Sequence, residues 1–498
     1  MGSKVKAYSR EKLQGKVYTP DWVVRKILDE VGCSGDRVIG KKIVDPACGD
    51  GQFLVEVVHR IVSASPSHDL ANNLSFVHGW DIDAQAISEC KERLNQLIPE
   101  QLRPFDWNVR LRNPLIEISD PASVWAVDPE LFDYVVGNPP YIRIQHLSLN
   151  DRHLVTRSYS YCQNGATDIY FAFIQLGLTL LRPQGRLGFI VPNSFLTSNA
   201  GSVMREDLAR NYWVAFLCNF GAQKLFDNAS TYNAIVVIEN TSPKPVVVEE
   251  AEMEVPTRRF SIPPERLLGG IWALSQRKST DEVGMVPLSD VCKIHVGITT
   301  LADKVFVIRG VEGSGFVSFT STTTGQEYRI ERETLLAAIK ASKSHALRTP
   351  EWVIWPYLRG TSKLIAENDF KARYPNAYQY LCDHRPRLDA RDNGRPVVGG
   401  WYGFGRTQAL TTVFGPKIIF PPMSLNPDFS FEPDANAVIY SGYFIKYAGD
   451  NQKLLNELNS DRMRVWQHSH GRDFRGGWKS QSKSTIEAFP VPKVLKVS

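Results

Sequence analysis

The chain has 498 residues, 43% of them hydrophobic and 22% charged, with a formal net charge of +5. That length and apolar content suit roughly two to four domains with sizeable cores and exclude a largely disordered chain. Seven cysteines, odd in number and without a CxxC pair, point to a reducing compartment and away from a structural zinc site. No secretory signal and no bilayer-length apolar run is present, so a soluble, cytoplasmic protein is expected.

Charge is unevenly spread. Residues 1–240 hold 24 Lys+Arg and 26 Asp+Glu, a balance of −2, while residues 241–498 hold 34 and 27, a balance of +7. A basic second half fits a polyanionic partner; a solvated surface is the alternative.

Residues 1–13 are polar. In residues 15–31, GKVYTPDWVVRKILDEV, Thr19 suits an N-cap and Pro20 a first helical position. Val23, Val24, Ile27, Leu28 and Val31 follow at helical spacing, so one face is buried. Residues 42–54, KIVDPACGDGQFL, read as a strand ending in Ile43 and Val44, a loop of small residues, and a helix opening at Gln52. Glycines in that loop allow a ligand to approach the backbone, and the helix N-terminus favours an anionic group such as a carboxylate. A plain strand-to-helix connection has the same look. The pattern is not GxGxxG, so a dinucleotide is not the obvious ligand.

Residues 75–87, SFVHGWDIDAQAI, predict a second strand and helix. Asp81 stands at the strand's end, where an acid can accept both hydroxyls of a ribose, and Asp83 suits the next N-cap. Residues 107–111 predict a third strand, followed by Asn113 and Pro114. The fourth, residues 132–136, stops at Gly137 and runs into Asn138, Pro139, Pro140 and Tyr141. Two prolines fix φ and lack an N–H. Such a turn can hold the Asn138 side chain and the Pro139 carbonyl as acceptors aimed at one point, with the Tyr141 ring beside them. Two acceptors and a stacking face suit an aromatic ring bearing an exocyclic amine; an ordinary strand-ending turn is the bland alternative.

Residues 168–182, DIYFAFIQLGLTLLR, predict a buried helix, and residues 186–191, 213–220 and 234–238 predict further strands. Strands alternating with helices imply a mostly parallel α/β sheet with its ligand loops beyond the strands' carboxyl ends. Residues 241–258, rich in Pro, Val and Glu, read as a linker. Later, residues 374–391 read as an amphipathic helix, and His468 and His470 as solvated residues rather than metal ligands.

Taken in order, these segments resemble the S-adenosylmethionine-dependent DNA amino-methyltransferases, specifically the N6-adenine enzymes of the gamma arrangement found in type II restriction–modification systems. YTPDWVV is similar to the motif before the cofactor loop, DPACGDGQFL to that loop, GWDID to the ribose acid and GNPPY to the catalytic motif. DIYFAFIQLGLTLLRPQGRLGFIVPNSFL and LFDNASTYNAIVVI are similar to the later core motifs, so the likeness spans about residues 15–240. It implies a Rossmann-like methyltransferase sheet over residues 1–245 and a separate C-terminal α+β DNA target-recognition domain over residues 246–498. It implies S-adenosylmethionine as cofactor, held by Tyr18, Thr19, Asp45, Ala47, Cys48, Gly49, Gly51, Asp81, Ile82, Asn113 and Pro114. The family often has an acid where Asn113 stands.

The implied catalytic set is Asn138, Pro139, Tyr141 and Phe226, the last a second aromatic wall with Tyr232 in reserve. With both amine hydrogens accepted, electron density returns to an adenine N6 that attacks the sulfonium methyl in line, without a side-chain nucleophile or metal. The base must leave the duplex stack. KIHVGITTLADKVFVI, WPYLRG, WYGFGRTQAL and GRDFRGGWKS resemble recognition-domain segments, with Arg359, Arg406, Arg475 and Lys479 as DNA contacts. The expected partners are double-stranded DNA and a separate restriction endonuclease. Because the opening motif begins near residue 15, no upstream nuclease domain is expected. Cytosine-N4, RNA-guanine and protein-glutamine methylation use the same kind of turn, and a non-catalytic DNA-binding factor would keep the fold.

Overall fold

The computed structural model describes residues 18–117, 131–164, 167–226, 231–241, 243–272, 274, 284–341, 350–397 and 399–496. The chain divides into two compact units, Met1–Gln276 and Arg277–Ser498.

The first unit is built on nine strands: β1 (Ile43–Asp45), β2 (Val77–Asp81), β3 (Asn108–Leu111), β4 (Phe132–Gly137), β5 (Leu181–Pro192), β6 (Val214–Asn219), β7 (Asn233–Glu239), β8 (Val246–Glu252) and β9 (Val255–Ile262). Their spatial order is β3-β2-β1-β4-β5-β7-β6-β8-β9. From β3 to β5 the pairings are parallel. β7 lies antiparallel between β5 and β6, and β8 is parallel to β6. The expected parallel α/β sheet therefore carries an antiparallel insertion.

Period-two alternation gives the sheet two buried faces. Tyr134, Val136 and Ile190 pack with Val23, Ile27, Phe53 and Leu94. These come from α1 (Asp21–Glu30), α2 (Gln52–Ala64) and α3 (Ala84–Gln96). Val135, Phe189 and Val191 pack on the other face with Phe171, Ile174 and Leu176 of α4 (Tyr170–Thr179). α4 is apolar all round because it is buried on nearly every side, as its composition implies.

Strand order reverses between β1 and β4. In an open α/β sheet a crevice opens beyond the carboxyl ends of the strands at that reversal. The two loops that leave those ends are residues 46–51 and 138–141, the two motifs that the sequence singles out.

Two expectations fail. Residues 241–258 are not a linker: β8 pairs with β6, and β9 with β8. Val246, Val248 and Glu249 are fully buried. Glu249 is carried inside by Lys26 Nζ at 2.6 Å and by Arg259 at 2.8 Å, so an acidic stretch can form an inner strand. The boundary of the compact unit accordingly lies at Gln276, not at residue 245. Thr19 is also not an N-cap: α1 begins after Pro20, which has no side-chain cap bond.

The second unit is α+β. Strands Lys293–Val296, Tyr443–Lys446, Lys417–Phe420 and Ser430–Glu432 form one sheet. Val307–Arg309, Glu351–Ile354, Leu335–Lys340 and Val438–Ser441 form another. Two apolar cores sit against them. The helix expected over residues 374–391 is split into Pro375–Asp383 and Arg385–Asp389, because Pro386 cannot donate into a continuous ladder. Among the described residues no helix is long and apolar enough to cross a membrane.

Candidate active site

Beyond β1 the chain turns through residues 46–51 into α2. Gly51, the N-cap, sits at φ 93°, and a Cβ there would stand 2.6 Å from Cys90 Sγ, so both backbone and space demand glycine. No side chain caps this helix end, which leaves its first N–H groups for an anionic ligand. The loop is braced from below. Asp45 Oδ1 accepts from the Ala47 N–H at 3.0 Å, and the Cys48 N–H donates to the Trp80 carbonyl at 2.9 Å.

Asp81, at the end of β2, accepts from the Gly49 N–H through Oδ2 and from the Asp83 N–H through Oδ1, both at 2.9 Å. A carboxylate has about four lone-pair sites, so two remain for hydroxyl donors. Asp81 therefore also ties β2 to the loop, a role the sequence did not disclose. Ile82 follows it with 67% of its surface exposed, an apolar face outside the core. Asp83 caps α3 as expected, accepting from the Gln85 and Ala86 N–H groups. Asn113 and Pro114 follow β3, with Pro114 opening the short helix Pro114–Glu117.

Cys48 departs from the expected ligand role. It is 5% exposed, its N–H is already engaged, and a Cβ on Gly79 would stand 3.0 Å from its sulfur. Contact with Cys90 and burial hold its thiol well above the usual range, so it is a neutral spacer and not a nucleophile. Tyr18 is exposed and joins the loop indirectly: Gln52 Nε2 donates to its hydroxyl at 3.2 Å and to Asp21 at 2.6 Å.

These groups fit S-adenosylmethionine by their chemistry. An uncapped helix terminus suits the carboxylate, Asp81 the ribose and Ile82 the purine, while Asp45 supplies a buried acid. Asp81→Ala removes charge-assisted hydrogen bonds worth about 1.5–3 kcal/mol each. A loss of cofactor affinity of more than about tenfold is expected. Calorimetry on the folded variant checks this, and unchanged affinity would refute the assignment.

Asp45 is 2% exposed and lies against the backbone of Gly137, where a Cβ would stand 2.6 Å from its Oδ1. Asp45 thus stands between the loop it braces through Ala47 and the end of β4. Burial pushes the Asp45 carboxyl up from 3.8 to about 8. The folded chain then keeps a proton that the unfolded chain has already lost, so stability is present below pH 4 and falls as pH rises towards 8. Denaturant titration of ligand-free protein should show Asp45→Asn gaining on the parent between pH 5 and 8. Parallel pH profiles for the two proteins would contradict this.

At the end of β4, Asn138 Nδ2 donates to Thr19 Oγ1 at 3.0 Å. Thr19 is 2% exposed, so a buried hydroxyl before α1 fixes the amide's orientation. Asn138 Oδ1 is itself buried and has no donor. A buried acceptor without a donor costs about 1–3 kcal/mol, and here the amide nitrogen holds that acceptor in place. Thr19 is thus tied to the turn after β4.

Tyr141 follows Pro139 and Pro140 with its hydroxyl locked: it donates to the Ile190 carbonyl and accepts from Asn233 Nδ2, each at 3.1 Å. Burial holds this phenol well above its usual range, so it acts as a neutral ring. Asn233 is fully buried and its Oδ1 has no donor. Its position immediately before the apolar run AIVVI is the one signal of it in the sequence. Phe226 lies 6.5 Å from Tyr141 but is tilted by 55° and only 4% exposed. It is a buried, tilted neighbour of Tyr141 rather than a second parallel face. Tyr232 is half-buried. Residues 227–230 of LFDNASTYN lie outside the described residues.

A cavity of about 420 Å³ opens elsewhere, at the start of β4, lined among others by Arg37, Lys41, Asp133, Arg186, Glu239 and Lys244. Each of its carboxylates is shared by two cations, Asp133 by Lys41 and Arg182, and Glu239 by Arg186 and Lys244. It is a solvated ion-pair cluster remote from the chemistry.

In the second unit, Arg359 is exposed, 5.4 Å from the Phe414 ring. Arg406 pairs with Asp392 at 3.1 Å and remains half-exposed. Lys479 does not match its expected role, because its ammonium is spent on Asp473 and both side chains are largely buried. The side chain of Arg475 lies outside the described residues. His470 is not solvated either: it stacks on Trp466 at 3.5 Å, and burial lowers it to about 4. Among the described residues no cluster of three or more metal-ligating side chains occurs.

The chain is similar to several known proteins. Residues 64–226 match the family model of the Eco57I restriction-modification methylase. The chain is 23% identical to the type II restriction enzyme and methyltransferase RM.Eco57I of Escherichia coli, over 96% of this chain and 57% of that protein. It is 25% identical to the type II methyltransferase M.BanIII of Aneurinibacillus aneurinilyticus, over 97% of this chain and 90% of that one. The fold is similar to that of the type IIL restriction-modification enzyme MmeI in complex with DNA. The TM-score is 0.64 at 13% identity, covering 94% of this chain and 64% of that one. The chain thus spans less than two thirds of RM.Eco57I and of MmeI.

Proposed function

We propose that this chain, which belongs to the Eco57I restriction-modification methylase family over residues 64–226, transfers a methyl group to the N6 amine of a flipped-out adenine in duplex DNA. The observation that carries this reading is Asn138 Oδ1, buried, oriented by Thr19 and without a donor. An exocyclic amine is the donor it lacks.

S-adenosylmethionine, when bound, would supply a methyl group on a sulfonium, whose sulfur would leave as a neutral thioether while the amine nitrogen takes the methyl and releases one proton to solvent. Everything else falls to the chain. Asn138 Oδ1 and the Pro139 carbonyl accept the two amine hydrogens and hold the nitrogen lone pair out of the purine ring. Tyr141 offers its face to the base and keeps its plane because its hydroxyl is held from both sides. Asp81 and the residue 46–51 loop hold the cofactor, and Asp45 joins that loop to the catalytic turn. Positioning and fixed dipoles suffice for such a transfer. Extrusion of the base costs a few kcal/mol, partly recovered by stacking.

In this reading the second unit recognises the DNA sequence, with Arg359 and Arg406 as phosphate or base contacts. Methylation protects the cytoplasmic DNA of the cell from a separate endonuclease. Single-molecule sequencing of DNA from cells expressing the chain tests base and site together. Methyl-adenine at one sequence motif is expected; methyl-cytosine, or no modified base, would overturn the adenine assignment.

A further inference from the structure

We propose that Trp478 and Leu425 form an apolar tip that packs against the sugars and bases of duplex DNA. The proposal rests on the reading of the second unit as the part that recognises DNA. Strand β10 (Met423–Ser424) pairs antiparallel with β11 (Lys479–Ser480), Met423 opposite Ser480 and Ser424 opposite Lys479. One step further, this register sets Leu425 opposite Trp478. A Cβ on Gly477 would stand 3.7 Å from Leu425 Cδ2, so the two arms are in contact there.

Single exposed apolar side chains occur elsewhere in this unit, among them Leu301, Val311, Leu358 and Phe431, but Trp478 is the one exposed tryptophan among the described residues; Trp352 and Trp355 are 9% and 5% exposed. Trp478 is 40% exposed, Leu425 45% and Met423 37%. Gly476 and Gly477, at φ 75° and 78°, leave bare backbone beside the indole, so another molecule can come close.

Two-residue strands do not hold themselves together. This ribbon is held by a buried polar network beneath it. Gln467, on α5 (Asp461–His470), donates through Nε2 to the Ser424 carbonyl at 3.0 Å and to Ser424 Oγ at 2.8 Å. Gln481 Nε2 donates to the same Oγ at 2.6 Å, and its N–H to the Pro422 carbonyl at 2.8 Å. Both glutamines are fully buried, and the Oε1 atoms of both lack a donor. The Phe474 N–H closes the arm onto the Trp478 carbonyl at 2.8 Å, and the buried pair Lys479–Asp473 anchors it. Such a network gives up stability to hold one geometry. What it holds out is an indole.

The occupant follows from the charge of the unit. Residues 277–498 hold 30 Lys+Arg and 22 Asp+Glu, a balance of +8. Beside the ribbon, Arg472 donates its backbone N–H to Ser480 Oγ at 2.8 Å and leaves its side chain exposed. An apolar tip on a cationic unit, with an exposed arginine beside it, matches a polyanion that has apolar rings and sugars between its charges. Apolar side chains inserted against base steps are an established way to engage a duplex.

The test uses the full chain and a duplex carrying the motif found by single-molecule sequencing, with a scrambled duplex as reference. Anisotropy titrations are run from 50 to 200 mM salt. Trp478→Ala should weaken binding to the motif duplex by about tenfold or more, as loss of an aromatic contact does. The slope of log K against log salt should be unchanged, because no phosphate contact is removed. Trp478→Phe should stay within about threefold of the parent, and S-adenosylmethionine affinity should be the same in all three proteins. Motif binding by Trp478→Ala equal to the parent's would overturn the proposal. A second measurement needs no substitution. The unaltered chain is photo-crosslinked to motif duplexes carrying 5-iododeoxyuridine at successive positions, and the crosslinked peptide should contain Trp478. Its absence at every position would overturn the proposal. If the unaltered chain does not prefer the motif duplex to the scrambled one, the DNA-reading assignment of the second unit fails first, and the proposal with it.

Discussion

Asn138→Ala is expected to lower the single-turnover methylation rate by about 10²–10³-fold, the usual cost of removing one preorganised polar group from a reacting centre. Cofactor and DNA affinity should be nearly unchanged, because Asn138 Oδ1 has no partner in the ligand-free protein and its amide nitrogen donates to Thr19, ahead of α1, and not to the residue 46–51 loop. The loss would then lie in the transition state and not in ground-state binding. Thr19→Val gives the graded control. It removes the 3.0 Å bond that orients the amide but leaves the acceptor in place. One hydrogen bond of this type is worth about 1 kcal/mol, so a drop of about five- to tenfold is expected. Rapid-quench measurement with saturating cofactor and motif DNA compares the three proteins. More than a few per cent of the parent rate in Asn138→Ala would remove Asn138 from the chemistry.

The turn after β4 was legible because its signal is local. Pro139 and Pro140 fix the backbone whatever surrounds them, and Gly49, Gly51 and Asp83 mark strand-to-helix junctions through their own conformational preferences. What escaped depends on partners far away in the chain. Thr19 has the composition of an N-cap, yet its hydroxyl is taken by Asn138, 119 residues later. Glu249 and Glu250 give residues 241–258 the look of a solvated linker. Glu249 nevertheless goes inside because Lys26, 223 residues earlier, meets it, and no window of sequence contains both. The direction of β7 escaped for another reason: AIVVI is equally apolar whether its neighbours run with it or against it. His470 was within reach, since Trp466 and His470 are four apart on one helix and such pairs face each other.

A fragment ending at Gln276 should fold, bind S-adenosylmethionine and lose selective DNA binding, whereas one ending at residue 245 should not fold. The shorter cut removes β8 and β9 and exposes the edge of β6. It deletes Val246, Val248, Ile262, Leu267 and Trp272, all part of one core. At about 1.5–3 kcal/mol for each large buried side chain, the loss rivals the 5–15 kcal/mol by which such proteins are stable at all. It also strips Lys26 of Glu249 and leaves Arg205, which is 3% exposed, without the Gly270 carbonyl it holds at 2.6 Å. The longer cut leaves these partners in place. Residues 1–276 contain 28 Lys+Arg and 31 Asp+Glu, a balance of −3, against 30 and 22, a balance of +8, for residues 277–498. A unit with net negative charge has little means of neutralising phosphates along a run of base pairs. The whole chain should therefore bind motif DNA with an affinity that falls steeply with salt, since each neutralised phosphate contributes about −0.9 to the slope of log K against log salt. A 2-aminopurine at the target adenine should brighten on binding as it leaves the stack. The 1–276 fragment should show neither the preference nor the slope, while calorimetry still detects cofactor. If that fragment separates motif from scrambled duplex as well as the whole chain does, recognition lies in the catalytic unit, and the basic second unit has another purpose.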